Sequence, residues 1–248
     1  MTSNLHRHLD SSLHSHNYKD AFREALASED ADLLHRDADG GSTVAIALID
    51  TARAQLIGAD LGDSHSVLIE RSDSLHASGS HKWHATRLSQ THKPGEPRER
   101  ERIEAANGMV NRDLGDVRVG EMNISRTLGD LDYKNPQLNE AIDRAAESGE
   151  RVRVPVRKGQ RADGDLISRV PHTTTRELRG TSLLLLATDG IGYAHDAEEA
   201  AHDAADLWER GESAREIAET LTKQATRKSG SDNCTVVVVL LQGPGGED

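Results

Sequence analysis

Cysteine is almost absent from this sequence. Cys234 is the single one among 248 residues, which excludes an internal disulfide and a zinc site built on cysteines. Aromatic side chains are nearly as scarce, with one Phe, two Trp and three Tyr. A core must therefore be assembled from Val, Leu, Ile and Ala, and aromatic platforms for single-stranded nucleic acid are lacking. Positive charge is in deficit: 42 Asp and Glu outnumber 30 Lys and Arg. The resulting net charge of −12 argues against a nucleic-acid partner and suits clefts that hold cations. No apolar run exceeds six residues, Val236 to Leu241 being one such run. A membrane-spanning helix needs ~18, so no membrane partner is expected.

Residues 1–17 (MTSNLHRHLDSSLHSHN) have no apolar h-region, and Arg7 is their one strong base. Neither a secretory signal nor a mitochondrial presequence is favoured by that composition. His6, His8, His14 and His16 offer nitrogen ligands, yet so short and polar a stretch reads as a disordered tail. The expected compartment is cytoplasmic or nuclear, with a mitochondrial location as the lesser alternative.

From Tyr18 onward the pattern becomes structured. Phe22, Leu26, Leu33 and Leu34 recur at mostly helical spacing and predict one amphipathic helix or two short ones over 18–35. Stretches 43–49 and 54–61 read as strands, as does the one through Val67 to Ile69 after a Gly62-Asp63-Ser64 turn. Connections this short predict an antiparallel meander, because parallel strands need long crossovers. Residues 71–83 are polar and irregular. Pro97 to Asn107 reads as a helix with Pro97 at its start and Asn107-Gly108 as its stop. Residues 137–150 suit another helix, and 151–165 an exposed charged loop. Leu183 to Ala187 (LLLLA) is a strand buried on both faces. Two Ala-rich helices follow, 197–208 and 213–226, the second with Ser213 and Glu216 as a capping box. Cys234 to Leu241 reads as a closing buried strand. Strands at both ends with helices between them predict an α+β fold, one domain over 18–241 with a tail at 242–248.

Two acids stand out by position. Asp189 follows LLLLA and precedes Gly190, and Asp232 lies just ahead of the final strand. Both would project from the rim of a buried sheet, where a carboxylate needs a positive partner. Oxygen-only ligation there points to Mg²⁺ or Mn²⁺. Turn chemistry competes with that reading, with Asp189 capping a turn and Asp232 forming an Asx turn. Ser64 has no Asp–His relay beside it. His92-Lys93-Pro94 and the alternating charges of Arg98 to Arg102 read as solvated. His76, His81 and His84 are spaced too irregularly for a metal, and Arg126 and Asp130 suit an ion pair within one turn.

Six segments, taken in order, resemble the metal-dependent protein phosphatases, the PPM or type 2C family. They are GGSTVAIALID (40–50), GADLGDSHSVL (58–68), LSQTHKPGEPRERERIEAANGMV (88–110), ISRTLGDLDYKNP (124–136), LLLLATDGIGYA (183–194) and SGSDNCTVVVVLL (229–241). The resemblance implies an αββα sandwich of two antiparallel sheets flanked by helices. It implies phosphoserine- and phosphothreonine-bearing proteins as partners and two Mg²⁺ or Mn²⁺ ions as cofactors, with Asp189 and Asp232 corresponding to metal ligands. Water activated between two such ions attacks phosphorus directly.

The departures from the family pattern are as informative. Family members carry, near their start, a phosphate-binding Arg, an acidic ligand soon after it, and an Asp-Gly-His-Gly-Gly strand end that supplies the Asp bridging both metals. No segment here matches these. Thr91 and Tyr193 stand where the family often has Asp. The expectation is a sandwich missing its first strands, with one ion bound at most. Two functions remain: a serine/threonine phosphatase with little or no activity in this chain, or a pseudophosphatase that binds phosphoproteins or a regulatory subunit.

Overall fold

The structure, a computed structural model, describes residues 4–13, 17–71, 83–113, 115–148, 155–192, 196–227 and 232–243. In chain order its first elements are α1 (Leu5–Ser12), α2 (Tyr18–His35), β1 (Gly41–Ser42), β2 (Val44–Asp50), β3 (Gln55–Leu61), β4 (His65–Arg71), β5 (Trp83–Arg87) and α3 (Pro97–Ala105). They continue with β6 (Val110–Asp113), β7 (Asp116–Val119), β8 (Leu128–Gly129), α4 (Gln137–Ser148), β9 (His172–Glu177), β10 (Thr181–Ala187), α5 (Asp196–Glu209), α6 (Ala214–Arg227) and β11 (Val236–Gln242). The chain divides into two compact units, Met1–Val44 with Thr91–Pro171 and Ala45–Gln90 with His172–Asp248.

The second unit holds both larger sheets. One has the order β11-β10-β4-β5 and the other β2-β3-β9, with antiparallel pairing in every register resolved. The expected three-strand meander is therefore corrected. β2 and β3 are neighbours, but β4 joins the other sheet. The chain crosses over at Gly62, whose φ of 90° favours glycine, and Asp63 and Ser64 are buried in the crossing. Side-chain alternation explains the long apolar runs. Val67, Ile69, Leu183 and Leu185 face the cluster that includes α5 and α6, while Leu68 and Leu184 face Leu56 of the opposing sheet. Each such leucine contributes roughly 1.5–3 kcal/mol through burial. β11 departs from the fully buried strand expected of it: among the described residues it is an edge strand, with Val237 and Leu240 exposed.

A core poor in aromatics is closed by alanine. Ala197, Ala201, Ala204 and Ala205 are buried along α5, and such small side chains let the helix backbone approach the sheet closely. Both tryptophans sit at one end of this layer, with Trp83 and Trp208 ring centroids 5.0 Å apart.

Most of the regular structure in the first unit is helical. α2 is a single helix, and its Asn17 side chain accepts from the Asp20 backbone N–H at the N-terminus. The stretch expected as a tail contains α1, whose His8 lies 3.1 Å from Asp32 and holds that carboxyl below its ordinary range. α3 begins on Pro97 and ends where Asn107 takes a φ of 64°, the left-handed stop read from the sequence. Among residues 151–165 the described part has no helix or strand, yet Val156 and Ala162 are buried, so it is not a wholly exposed loop. β1 and β8 pair Gly41 with Gly129. Gly41 touches Leu128 and Asp130 so closely that no Cβ fits there.

Candidate functional site

The two acids singled out by sequence lie at adjoining strand ends of the second unit. β10 and β11 pair up to Ala187 opposite Val236, and Thr188 extends the contact. Its N–H donates to the Thr235 carbonyl at 3.1 Å, and its Oγ1 accepts from the Thr235 N–H at 3.0 Å. Beyond this clasp, Asp189 opens a short 3-10 turn through Ile191. A Cβ on Gly190 would collide with the Asn233 carbonyl, so the Asp-Gly pair is dictated by close backbone approach. Both Asp189 and Asp232 are exposed. Asp232 Oδ1 accepts from the adjacent Asn233 N–H at 2.7 Å, one residue on rather than the two that an Asx turn spans. Burial, and then the charge of Asp189, push the Cys234 thiol up from its ordinary value.

Strand ends of both larger sheets hold further polar residues that were not singled out as site candidates from the sequence. His65 lies opposite Ala187 in register, and Arg87 donates to its Nδ1 at 2.7 Å. Asp60, almost fully buried, accepts from the Gln90 N–H at 3.0 Å and meets His172 Nδ1 at 2.9 Å. A carboxylate held in this way fixes the orientation of the imidazole beside it. Burial pulls the Arg87 guanidinium down from its usual value, and the charges of Asp60 and Glu198 oppose that. Asp60 and His172 are 112 residues apart and meet only through the β3–β9 register. The sequence places Asp60 near the end of an expected strand, but no strand is expected at 172–177, so nothing in it joins the two.

Several expected surface residues turn out to be structural. Glu99 is buried rather than solvated: it accepts from Ser125 Oγ at 2.9 Å and from Arg102 at 3.0 Å, and pairs with Arg126. Burial alone would raise its pKa, but Arg126 and Arg102 hold it down to about 2. Arg126 thus pairs with Glu99, not with Asp130 as the turn pattern predicts. His92 is also buried, and its carbonyl accepts from the Ser125 N–H at 3.0 Å. Asp30 and Lys134 form a fully buried ion pair at 2.6 Å, with the Gly129 N–H donating to the same carboxylate at 2.7 Å. His84 is exposed on β5, and the remaining positions His14, His16, His76, His81 and Tyr193 lie outside the described residues.

Among the described residues, no group of three or more His, Cys, Asp or Glu side chains is placed to hold a metal ion. Two divalent ions bring a charge of about +4, which two exposed carboxylates do not balance. No described helix is long and apolar enough to cross a membrane.

Two facing antiparallel sheets with helices against them match the αββα sandwich that the resemblance to the metal-dependent phosphatases implies. The comparisons narrow it. A family model described as Protein phosphatase 2C matches residues 1–234, so the likeness takes in the helix-bearing stretch before Tyr18. The chain belongs to the protein phosphatase 2C family. It is 32% identical over 208 residues to Protein phosphatase 2C 1 of Paramecium tetraurelia, covering 82% of this chain and 58% of that protein. It is 31% identical over 204 residues to Probable protein phosphatase 2C 68 of Oryza sativa subsp. japonica, covering 82% and 45%. Protein spalten of Dictyostelium discoideum is 26% identical over 225 residues, covering 90% of this chain and 20% of that protein. This chain therefore spans between 20% and 58% of the length of these curated relatives. Among solved structures, a C. elegans sex determining protein superposes with a TM-score of 0.68 at 22% identity, over 97% of this chain and 52% of that one. A phosphatase from a pathogenic strain of Toxoplasma gondii gives 0.62 at 18% identity, over 96% and 79%. Likeness at that level is one of fold, the αββα sandwich of two antiparallel sheets flanked by helices.

Proposed function

We propose that this chain is a phosphatase 2C module that works by binding rather than by turnover. Its partners in this reading are proteins bearing phosphoserine or phosphothreonine, or a regulatory subunit. The observation that carries it is the carboxylate deficit at the β10–β11 rim, where Asp189 and Asp232 stand without a third grouped donor among the described residues. Asp189 and Asp232 would hold one Mg²⁺ or Mn²⁺ ion weakly. Without a carboxylate bridging two ions, no water is shared between them for attack on phosphorus. The test is an assay of chain 1–248 with a phosphothreonine peptide and Mn²⁺. No metal-dependent hydrolysis is expected, and turnover that vanishes in Asp232→Asn would overturn the proposal.

A second reading rests on length. The curated relatives extend well beyond the part this chain spans. In a longer protein, further residues would supply the missing carboxylates, and Asp189 and Asp232 would serve a serine/threonine phosphatase. The intact mass of the native protein separates the two: a mass larger by about a domain's worth of residues favours the enzyme.

A further inference from the structure

A cavity of about 220 Å³ opens between α5 and α6 in the second unit. Ile191, Ala200, Leu221 and Ala225 line it and are buried, so they form an apolar floor. Glu199, Asp203 and Gln224 line it too and are exposed or half-buried, so they form a polar rim. Pockets for cofactors and drug-sized ligands start at about 300 Å³, so this volume fits a single side chain. The charge around it is mainly negative, with Arg210 and His202 as the cationic groups acting on Asp203. α5 carries Asp196, Glu198, Glu199, Asp203, Asp206 and Glu209 and neither Lys nor Arg. On the facing helix, Lys223 is turned to Glu219 at 3.8 Å. Burial and then the nearby Glu199 and Asp206 push the Asp203 carboxyl up from its ordinary value, with Arg210 and His202 opposing them, a net like-charge crowding that a further cation would relieve.

We propose that this cavity is a docking site for an arginine or lysine side chain presented by a basic segment of a partner protein. The alkyl stem lies on Leu221, Ala200 and Ala225, and the cationic head meets Glu199 and Asp203, the division that long basic side chains adopt at an apolar surface with a wet rim. Ile191 belongs to the turn that Asp189 opens, so the docked side chain touches that turn from beneath. The proposal is independent of whether the chain hydrolyses anything.

A fluorescence-anisotropy titration of chain 1–248 with a short fluorescein-labelled arginine-rich peptide tests it. The same peptide with glutamine in place of arginine serves as control. Saturable binding is expected, weakened about tenfold in Glu199→Gln/Asp203→Asn. Glu198→Gln/Glu209→Gln removes the same charge from α5 at residues that do not line the cavity and is expected to stay within about twofold of the parent. The Leu221 methyl resonances should shift on adding the arginine peptide, since its stem lies against them. Absence of saturable binding, equal weakening in both double variants, or unshifted Leu221 methyls would each overturn the proposal.

Discussion

Glu99 lies in PRERERIEA, a helix whose alternating charges look like those of a solvated face, and yet its carboxylate is buried against Arg102, Arg126 and Ser125. Glu99 acts as a hub: Arg102 also donates to the carbonyls of Ser125, Asp165 and Leu166, so one carboxylate orders the guanidinium that ties those segments together. Removing its charge leaves two guanidiniums facing each other without compensation. Glu99→Gln is expected to cost roughly 2–4 kcal/mol, read by urea unfolding followed by circular dichroism. The pH dependence has a definite sign. Because the folded-state pKa is depressed to about 2 from the ordinary 4.5, the stabilisation is complete above about pH 4.5 and is lost as pH falls toward 2. The variant should lack that acid slope; an unchanged slope would show that other carboxylates govern it.

At the scale of elements, what could be read from sequence was local chemistry. Ser213 and Glu216 exchange hydrogen bonds as a capping box, with the Ser213 N–H donating to Glu216 Oε2 at 2.8 Å. Pro97 and Asn107 bound their helix for reasons contained in one turn of chain. What could not be read depends on distant pairing. Nothing within GADLGDSH says that β3 and β4 part company into different sheets, and nothing in VVVVLLQ says whether a strand covers its outer side. β11 has β10 as its one neighbour among the described residues, and it shows Val237 and Leu240 to solvent. An uncharged apolar edge of this kind is a template for pairing with other chains. Val237→Lys should lower binding of a hydrophobic dye and slow aggregation, roughly twofold, without lowering the melting temperature. Dye binding equal to the parent's would place the exposed apolar surface elsewhere.

For the whole molecule, sequence motifs and fold agree: the chain has the phosphatase 2C sandwich, and its net charge of −12 is compatible with cation binding. The candidate site was legible only in part. Asp189 and Asp232 were visible because each adjoins an apolar run, and the β10–β11 pairing sets their strand ends side by side. The buried Asp60–His172 contact was invisible, since no local pattern links residues joined only by sheet register. The reading of this chain as a binding module rests on two carboxylates being too few for two metal ions. Isothermal titration calorimetry of chain 1–248 with Mn²⁺ measures that directly. The expected result is one ion per chain at most, bound weakly, with the heat abolished in Asp189→Asn/Asp232→Asn. Two ions taken up per chain at micromolar concentration would contradict it.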